Sequence, residues 1–496
     1  MQCVPIFLLS TIRPTSTAGG VYYVYTNGDH SMQLRDHQKT MLDAMASNRK
    51  GYLTCGTGGG KTYTFITDCR RFLTPGNVIV IVAPQLLLSE QLFNEFDCHL
   101  SDVDFTYRQV SSESKTWQRD RNNLKFRVKV QPQSPTTTID EIEQTYSVAQ
   151  KAQQPLILFT TYKSLDRVVA AKLPVTAVYF DEAHNAADND SFDAVESISA
   201  LADHAYFFTA TPRRSESTTG RGFDNSAVYG EHIANIKFAD LVESGAIVRP
   251  YLHLQTSNAQ SKNLDEISAD VDTLMETVNY YETEHYETGA HKILVACRGT
   301  ANIQGMRLAM MKWANDKGYD LLSVDSVNGG YMNETQICAP NAKGKFLAKL
   351  DELGKDLTRK MIVLHYDMLG EGIDVKAFTG TVFLRNICSN IKAVQAMGRV
   401  IRYSPGKKYG IVTIIQHGDD TDDAWHCMAG IVNQLLTQGV PVDEILTEVS
   451  GRGKEDEIVE DLTKNLKKRI ADYDIQWQHN LMIQDIVKQE TALISF

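Results

Sequence analysis

The sequence predicts an α/β protein built as two lobes in tandem, each a parallel sheet covered by helices on both faces. Three observations carry this expectation. Short runs of β-branched and aromatic residues recur along the chain, each followed by a stretch of helical character. The runs are near-continuously apolar, as strands buried on both faces are. They fall into two sets with a polar, acidic stretch between them over roughly residues 257–290, which implies two such units.

In chain order, residues 1–33 read as an N-terminal arm. The first lobe spans 34–247, with strands expected at Tyr52–Thr54, Val78–Val82, Leu156–Phe159, Ala177–Phe180 and Tyr206–Phe208, and a polar insertion over 101–155. Residues 248–290 read as a linker with the first helix of the second lobe. That lobe, 291–420, has strands expected at Ile293–Val295, Leu321–Val324, Met361–Leu364, Thr381–Leu384 and Gly410–Ile415. From about Asp419 strand signals stop, and helical periodicity over Ala424–Gln438 and Asp456–Ala471 predicts a helical C-terminal segment, 421–496. No repeat of solenoid period and no low-complexity tract is present.

Composition narrows the function classes. The 496 residues carry 50 Lys+Arg against 61 Asp+Glu, a net charge of −11, which excludes an all-over basic coat but not a local basic groove. With 43% apolar and 22% charged residues the chain is an ordinary folded protein. No apolar run approaches the ~18 residues a membrane span needs. The apolar run Val4–Leu9 is short, lacks a basic start and contains Pro5, so no cleaved signal is expected. Eight cysteines lie scattered between Cys3 and Cys427 without a Cys-x-x-Cys pair, the pattern of reduced thiols; an intracellular, cytoplasmic setting is expected.

The chemistry-bearing segment of the first lobe is Cys55-Gly56-Thr57-Gly58-Gly59-Gly60-Lys61-Thr62, between an expected strand and an expected helix. Successive glycines let backbone N–H groups converge on phosphate oxygens, and a helix N-terminus adds partial positive charge. Gly58 and Gly60 would shape the cradle, Lys61 would reach the β- and γ-phosphates of ATP, and the Thr62 hydroxyl would ligate Mg²⁺. The strict pattern begins with glycine, and Cys55 stands there. Further on, the strand Ala177–Phe180 runs into Asp181-Glu182-Ala183-His184. A carboxylate at a strand's C-terminal end lies on the sheet edge where open α/β sheets bind ligands. Asp181 is placed to hold the metal shell and Glu182 to polarise an attacking water.

With these two motifs the chain resembles a superfamily 2 helicase of the DEAH/DExH type, and the resemblance extends over residues 34–415. Leu34-Arg35-Asp36-His37-Gln38 is similar to that family's glutamine motif, which implies that Arg35 and Gln38 serve nucleotide binding, Gln38 at adenine. Cys55–Thr62 resembles motif I, Val82-Ala83-Pro84 through Gln91 motif Ia, Thr160–Ser164 motif Ib, Asp181–His184 motif II and Thr209-Ala210-Thr211-Pro212 motif III. Ile293–Arg298 resembles motif IV. Leu369–Asp374 resembles motif V, implying nucleotide contacts for Gly372 and Asp374, although Tyr366 stands near where many relatives carry a small hydroxyl residue. Gln395-Ala396-Met397-Gly398-Arg399-Val400-Ile401-Arg402 resembles motif VI. Within the superfamily the look is closest to helicases related to restriction-enzyme motor subunits, and the fold implied is a pair of RecA-like lobes.

The resemblance implies a nucleic-acid-stimulated ATPase with Lys61, Asp181, Glu182, Gln395, Arg399 and Arg402 as its catalytic set. Arg399 and Arg402 stand three apart, on one face of a helix, able to act as arginine fingers from the second lobe, with Gln395 sensing the γ-phosphate or its water. It also implies that His184, Thr209 and Thr211 couple hydrolysis to the strand-tracking surface. Nucleic-acid contacts are expected at Pro84, Gln85, Thr160, Thr161 and Arg298, with DNA preferred over RNA. The basic insertion Arg119–Lys129 with Trp117 and Phe126 reads either as a further contact or as a solvated face. Partners expected are nucleic acid and other proteins through the C-terminal segment, with no membrane. Strand unwinding, translocation alone, and an ATP-gated switch or motor subunit of a defence or remodelling complex all stay open.

Overall fold

A computed structural model of the protein describes residues 34–84, 86–112, 135–187, 190–210, 212, 220–257, 267–340, 343–366, 377–385 and 396–417, with 15–17, 20–22, 428, 431–432, 435, 446–451 and 468 outside these stretches. In the N-terminal arm β1 (Thr15–Thr17) and β2 (Gly20–Tyr22) pair as a short antiparallel ribbon. The first lobe is a seven-stranded sheet of β3 (Lys50–Cys55), β4 (Val78–Ala83), β5 (Thr106–Val110), β6 (Leu156–Thr161), β7 (Val175–Phe180), β8 (His204–Thr209) and β9 (Glu231–Ile236), in the order β5-β6-β4-β7-β8-β3-β9. Every neighbouring pair in it is parallel. All seven C-terminal ends therefore lie on one edge.

The second sheet holds nine strands: β10 (Arg249–Ser257), β11 (Lys292–Ala296), β12 (Tyr319–Asp325), β13 (Gly329–Met332), β14 (Thr335–Cys338), β15 (Lys360–His365), β16 (Gly380–Phe383), β17 (Tyr409–His417) and β18 (Leu446–Gly451), in the order β14-β13-β12-β15-β11-β16-β17-β10-β18. It is parallel except for the meander β12-β13-β14 at one edge. The α/β class with two tandem RecA-like lobes thus holds.

Side-chain alternation explains why these apolar runs stay in register. In β4, Val78, Val80 and Val82 face one core, while Ile79, Ile81 and Ala83 face another. In β11, Ile293 and Val295 face a third core, and Leu294 and Ala296 join the cluster that also holds Ile79 and Ile81. One apolar cluster is therefore continuous through both lobes, bridged by Leu241, Ala246, Ile247, Val248, Met397 and Ile401.

Several strands escape the sequence pattern because polar residues occupy buried positions. In β5, inside the expected polar insertion, Thr106 Oγ1 donates to Gln154 Oε1 at 2.8 Å and Arg108 pairs with Glu141 on helix Ile139–Ala152. In β10, within the stretch read as linker, buried His253, Gln255 and Ser257 are satisfied by Thr413, Thr277 and Thr273. The C-terminal segment lies largely outside the described residues; within it Leu446–Gly451 is a strand beside β10, so strand structure does not stop at Asp419 as the sequence suggested. Its short apolar content, Leu446 and Val449 among polar residues, is below what a strand signal needs. Among the described residues, no helix is long and apolar enough to cross a membrane.

Candidate active site

The glycine loop leaves the C-terminal end of β3 and enters helix Lys61–Cys69. Two of its glycines are required by conformation. Gly58 and Gly60 have φ of +87° and +76°, where a side chain is strained, and each is also covered. A Cβ at Gly58 would stand 2.8 Å from Ile247 Cγ2, and one at Gly60 would stand 2.5 Å from Gln38 Nε2. Cys55 takes the place of the usual small residue by tucking its thiol beneath Gly59, where a Cβ would meet Sγ at 2.3 Å. Burial pushes the Cys55 thiol up to about 11, with Lys61 opposing, so it stays a neutral packing group.

The first helix, Asp36–Ser47, is pinned to the loop at its start. The Gln38 carboxamide oxygen accepts from Arg35 N at 3.0 Å and its amide nitrogen donates to the Gly60 carbonyl at 3.4 Å. His37 Nε2 donates to the Gly59 carbonyl at 2.9 Å, and burial holds its pKa below the ordinary histidine value. Arg35 itself stays partly exposed.

The acidic pair follows β7, two strands from β3 across β8. Lys61 is buried, its ammonium 3.8 Å from Glu182 Oε1 and donating to the Cys55 carbonyl at 3.3 Å. Burial alone would depress the Lys61 pKa; Glu182, Cys55 and Asp181 outweigh it and raise it, with Arg402 opposing. Asp181 is also buried, and desolvation with the neighbouring Glu182 charge raises its carboxyl to about 7 against the pull of Lys61. Glu182 has a left-handed backbone, φ +45°, an uncommon state for a residue with a side chain. Its N–H donates to Asp181 Oδ1 at 3.0 Å, and its carbonyl accepts from Asn185 N at 3.0 Å and Asn185 Nδ2 at 2.9 Å. Tyr162 OH donates to the Asp181 carbonyl at 2.9 Å.

His184 Nδ1 lies 3.3 Å from Thr209 Oγ1 and 3.5 Å from Glu182 Oε2, joining the ends of β7 and β8. Thr211 lies outside the described residues.

The second lobe meets this site through a helix at 396–400. A Cβ on Gly398 would stand 2.3 Å from Thr57 Cγ2, so the helix lies directly on the glycine loop. Arg402 runs beside Gly58, its Cγ 3.5 Å from where a Cβ would be, and Arg399 is buried. The stretch Leu241–Val248 packs between the lobes. Leu241 and Ile247 back Gly59 and Gly58, Ile247 pairs with Arg402 in an antiparallel bridge, and Val248 N donates to the Ile401 carbonyl at 2.7 Å. Gln395, Gly372 and Asp374 lie outside the described residues.

Residues 31–214 match the family model described as "Type III restriction enzyme, res subunit". The fold is similar to the ATP-dependent Type ISP restriction-modification enzyme LlaBIII bound to DNA, with TM-score 0.64 at 17% identity over 91% of this chain and 33% of that one. This likeness is one of fold, shared with restriction-modification enzymes. A nuclease-deletion mutant of the Type ISP enzyme LlaGI with a DNA substrate mimic gives TM-score 0.56 at 18% identity over 84% of this chain and 30% of that one. Mss116p bound to ssRNA and AMP-PNP gives 0.51 at 12% identity over 86% and 75%. The chain spans about a third of the length of the two restriction-modification enzymes. No curated protein sequence matches it.

The expected strand-contact residues are placed unevenly. Pro84 is partly exposed at the end of β4, and Gln85 lies outside the described residues, as does the basic insertion with Trp117 and Phe126. Thr161 is nearly covered, and Thr160 is fully buried with its hydroxyl donating to the Val110 carbonyl at 3.0 Å. Arg298 is not presented on a surface. Its guanidinium grips Asp270 at 2.8–3.1 Å and approaches His417 Nδ1 at 3.0 Å, with side-chain exposures of 2% and 0% for the ion pair. His37, Tyr162 and Asn185 were not singled out from the sequence. His37 and Tyr162 carried a signal by position, inside Leu34–Gln38 and Thr160–Ser164, whereas Asn185, just past Asp181–His184, carried none.

Proposed function

We propose that this chain is an ATP-dependent nucleic-acid motor of the DEAH/DExH kind, a helicase or translocase acting on DNA, driven by hydrolysis in the cleft between its lobes. The observation that carries the reading is the meeting of Lys61, Asp181 and Glu182 with the Arg402 segment at one glycine loop, each lobe bringing groups the other lacks. Backbone amides of Gly58–Thr62 cradle the phosphates and Lys61 neutralises the β- and γ-oxygens. Glu182 orients the attacking water, and Arg399 and Arg402 stabilise charge on the transferring phosphoryl group, a contribution of about 10³–10⁵ in rate in related NTPases.

The donor set suits Mg²⁺. A buried carboxylate at Asp181 and a hydroxyl at Thr62 are hard oxygen ligands, and this ion needs only one or two such groups beside the phosphates. Thr62 and Asp181 would hold it, and it would offset negative charge on the phosphate oxygens. Gln38, already against the loop at Gly60, is the adenine-side residue, with Arg35 beside it. His184 and Thr209 link Glu182 to the end of β8, on the sheet edge that also carries Pro84 at the end of β4, a route by which hydrolysis reaches the strand-contact side. Lobe closure on ATP and reopening after hydrolysis follow from differential affinity for the two states.

DNA is preferred because the two restriction-modification enzymes of similar fold are described with DNA. Their greater length favours a second reading, that the chain is the motor portion of a larger defence or remodelling assembly and does not itself separate strands.

Lys61→Ala and Glu182→Gln are expected to abolish nucleic-acid-stimulated ATPase, measured as phosphate release with single-stranded, duplex and forked DNA beside matched RNA. A Glu182→Gln protein hydrolysing ATP at the wild-type rate would refute the catalytic assignment. Strand displacement on forked and blunt duplexes separates unwinding from translocation.

A further inference from the structure

The turn after the 396–400 helix is built by sequence. Ser404-Pro405-Gly406-Lys407 has proline preset at the second position and Gly406 at φ +81° in the third, and Lys407 N donates to the Ser404 carbonyl at 3.1 Å. This turn sends the Lys407 side chain back beneath the helix end instead of out to solvent, so that the residue is only 5% exposed. Its ammonium donates to two main-chain carbonyls, Arg402 and Phe378, each at 2.6 Å. Phe378 precedes β16, on the segment that follows the motif V stretch, so one side chain ties that segment to the end of motif VI.

The Arg402 backbone is held on its other side as well. Ile247 forms the antiparallel bridge with it, and the preceding carbonyl, Ile401, accepts from Val248 N at 2.7 Å. Gly410, at the start of β17, has no room for a Cβ because the Val400 carbonyl would stand 2.2 Å from it. The backbone carrying the arginine is thus clamped between the interlobe stretch, the sheet and Lys407.

We propose that Lys407 is a positioning residue for Arg402: by joining the Arg402 and Phe378 carbonyls it fixes where the arginine meets the glycine loop. The inference rests on the reading of Arg402 as an arginine finger. A group stabilising a transition state works only from a preorganised position, and a displacement of about 1 Å can cost on the order of 10²-fold. Burial, with the Arg402 charge adding to it, depresses the Lys407 pKa to about 7, so the lysine occupies a place that disfavours its charge. A lysine serving only solubility would leave such a place.

The test is steady-state ATPase of the full chain with its stimulating nucleic acid, for Lys407→Met, Arg402→Ala and the double variant. Lys407→Met is expected to lower kcat about 10- to 100-fold while KM for ATP moves less than about threefold. In the Arg402→Ala background the same substitution should lower kcat by less than about twofold, since the residue it positions is gone. An unchanged kcat for Lys407→Met, or an equal fall in both backgrounds, overturns the proposal and leaves Lys407 a purely structural lysine. If Arg402→Ala by itself retains wild-type kcat, the finger reading fails and the inference with it. Should Lys407→Met not fold by circular dichroism, Lys407→Leu, which likewise removes the donor, replaces it in the same two backgrounds.

Discussion

The corner after β3 and the corner after β11 are the same architectural element put to different uses. Each is a parallel strand with a buried cysteine at its end, Cys55 closing β3 and Cys297 directly following β11, then a turn and a helix, Lys61–Cys69 or Thr300–Asp316. After β3 the turn is five residues long, with two glycines at positive φ and the charge supplied by Lys61 and the acidic pair. After β11 it is three residues, Cys297, Arg298 and Gly299, with Gly299 extended at φ −167°, and the space is filled by the Arg298–Asp270 pair. A strand–turn–helix corner makes an anion cradle only when the turn turns its amides inward. Otherwise it is a place to anchor the neighbouring helix, here Ile267–Glu284 through Asp270.

The largest expected effect breaks the second corner. Asp270→Ala leaves the Arg298 charge buried without its carboxylate and should destabilise the second lobe by about 3–5 kcal/mol, read from denaturant unfolding; the paired change Asp270→Leu with Arg298→Met should cost much less. Next come the two glycines that define the contrast. Gly58→Ala is strained and meets Ile247, and should weaken binding of a fluorescent ATP analogue by about 10- to 100-fold, roughly 1.4–2.8 kcal/mol. Gly299→Ala, with its nearest neighbour at 3.4 Å and an ordinary backbone, should leave both binding and stability within about 0.5 kcal/mol. Equal effects at both glycines would erase the distinction.

A pH series probes the second lobe further. Buried His253 and His291, bonded to Thr413 and to the Tyr281 carbonyl, have pKa values lowered by burial to about 3 and about 4. Above pH 6.5 both are neutral whether folded or not, and they cost nothing. Below it the unfolded chain takes up protons that the native state refuses, so stability falls with pH between about 6.5 and 4. The slope approaches about 1.4 kcal/mol per pH unit for each histidine. The difference in unfolding midpoint between the wild type and His253→Phe should stay constant above that window and change within it.

The smallest effect concerns the cysteines at the ends of the two strands. Burial raises both thiols, and neither Cys55 nor Cys297 should be alkylated by iodoacetamide at pH 8 in the native protein, whereas exposed Cys98 should be, as followed by mass spectrometry. Cys55→Ala should cost about 1 kcal/mol or less.

Much of the first lobe was readable because its strands are apolar on both faces and its reacting groups sit in contiguous motifs, as with Gly58–Thr62 and Asp181–His184. Strands such as β5 and β10 hid behind Arg108, His253 and Gln255, whose partners come from remote segments. Arg298 shows the converse. As an isolated cation after a strand it looked available to a phosphate, and only its proximity to Asp270, 28 residues earlier, shows it engaged.

Local chemistry along the chain was enough to determine two parallel α/β lobes and a glycine loop between β3 and helix Lys61–Cys69, because periodicity and glycine placement act over a few residues. Tertiary structure alone decided that Ile247 and Arg402 meet at Gly58, that Lys407 turns inward beneath Arg402, and that Arg298 is buried. Those outcomes depend on which distant groups share a desolvated space, and burial sets whether a charge is a surface contact, a pinned ion pair or a reacting group.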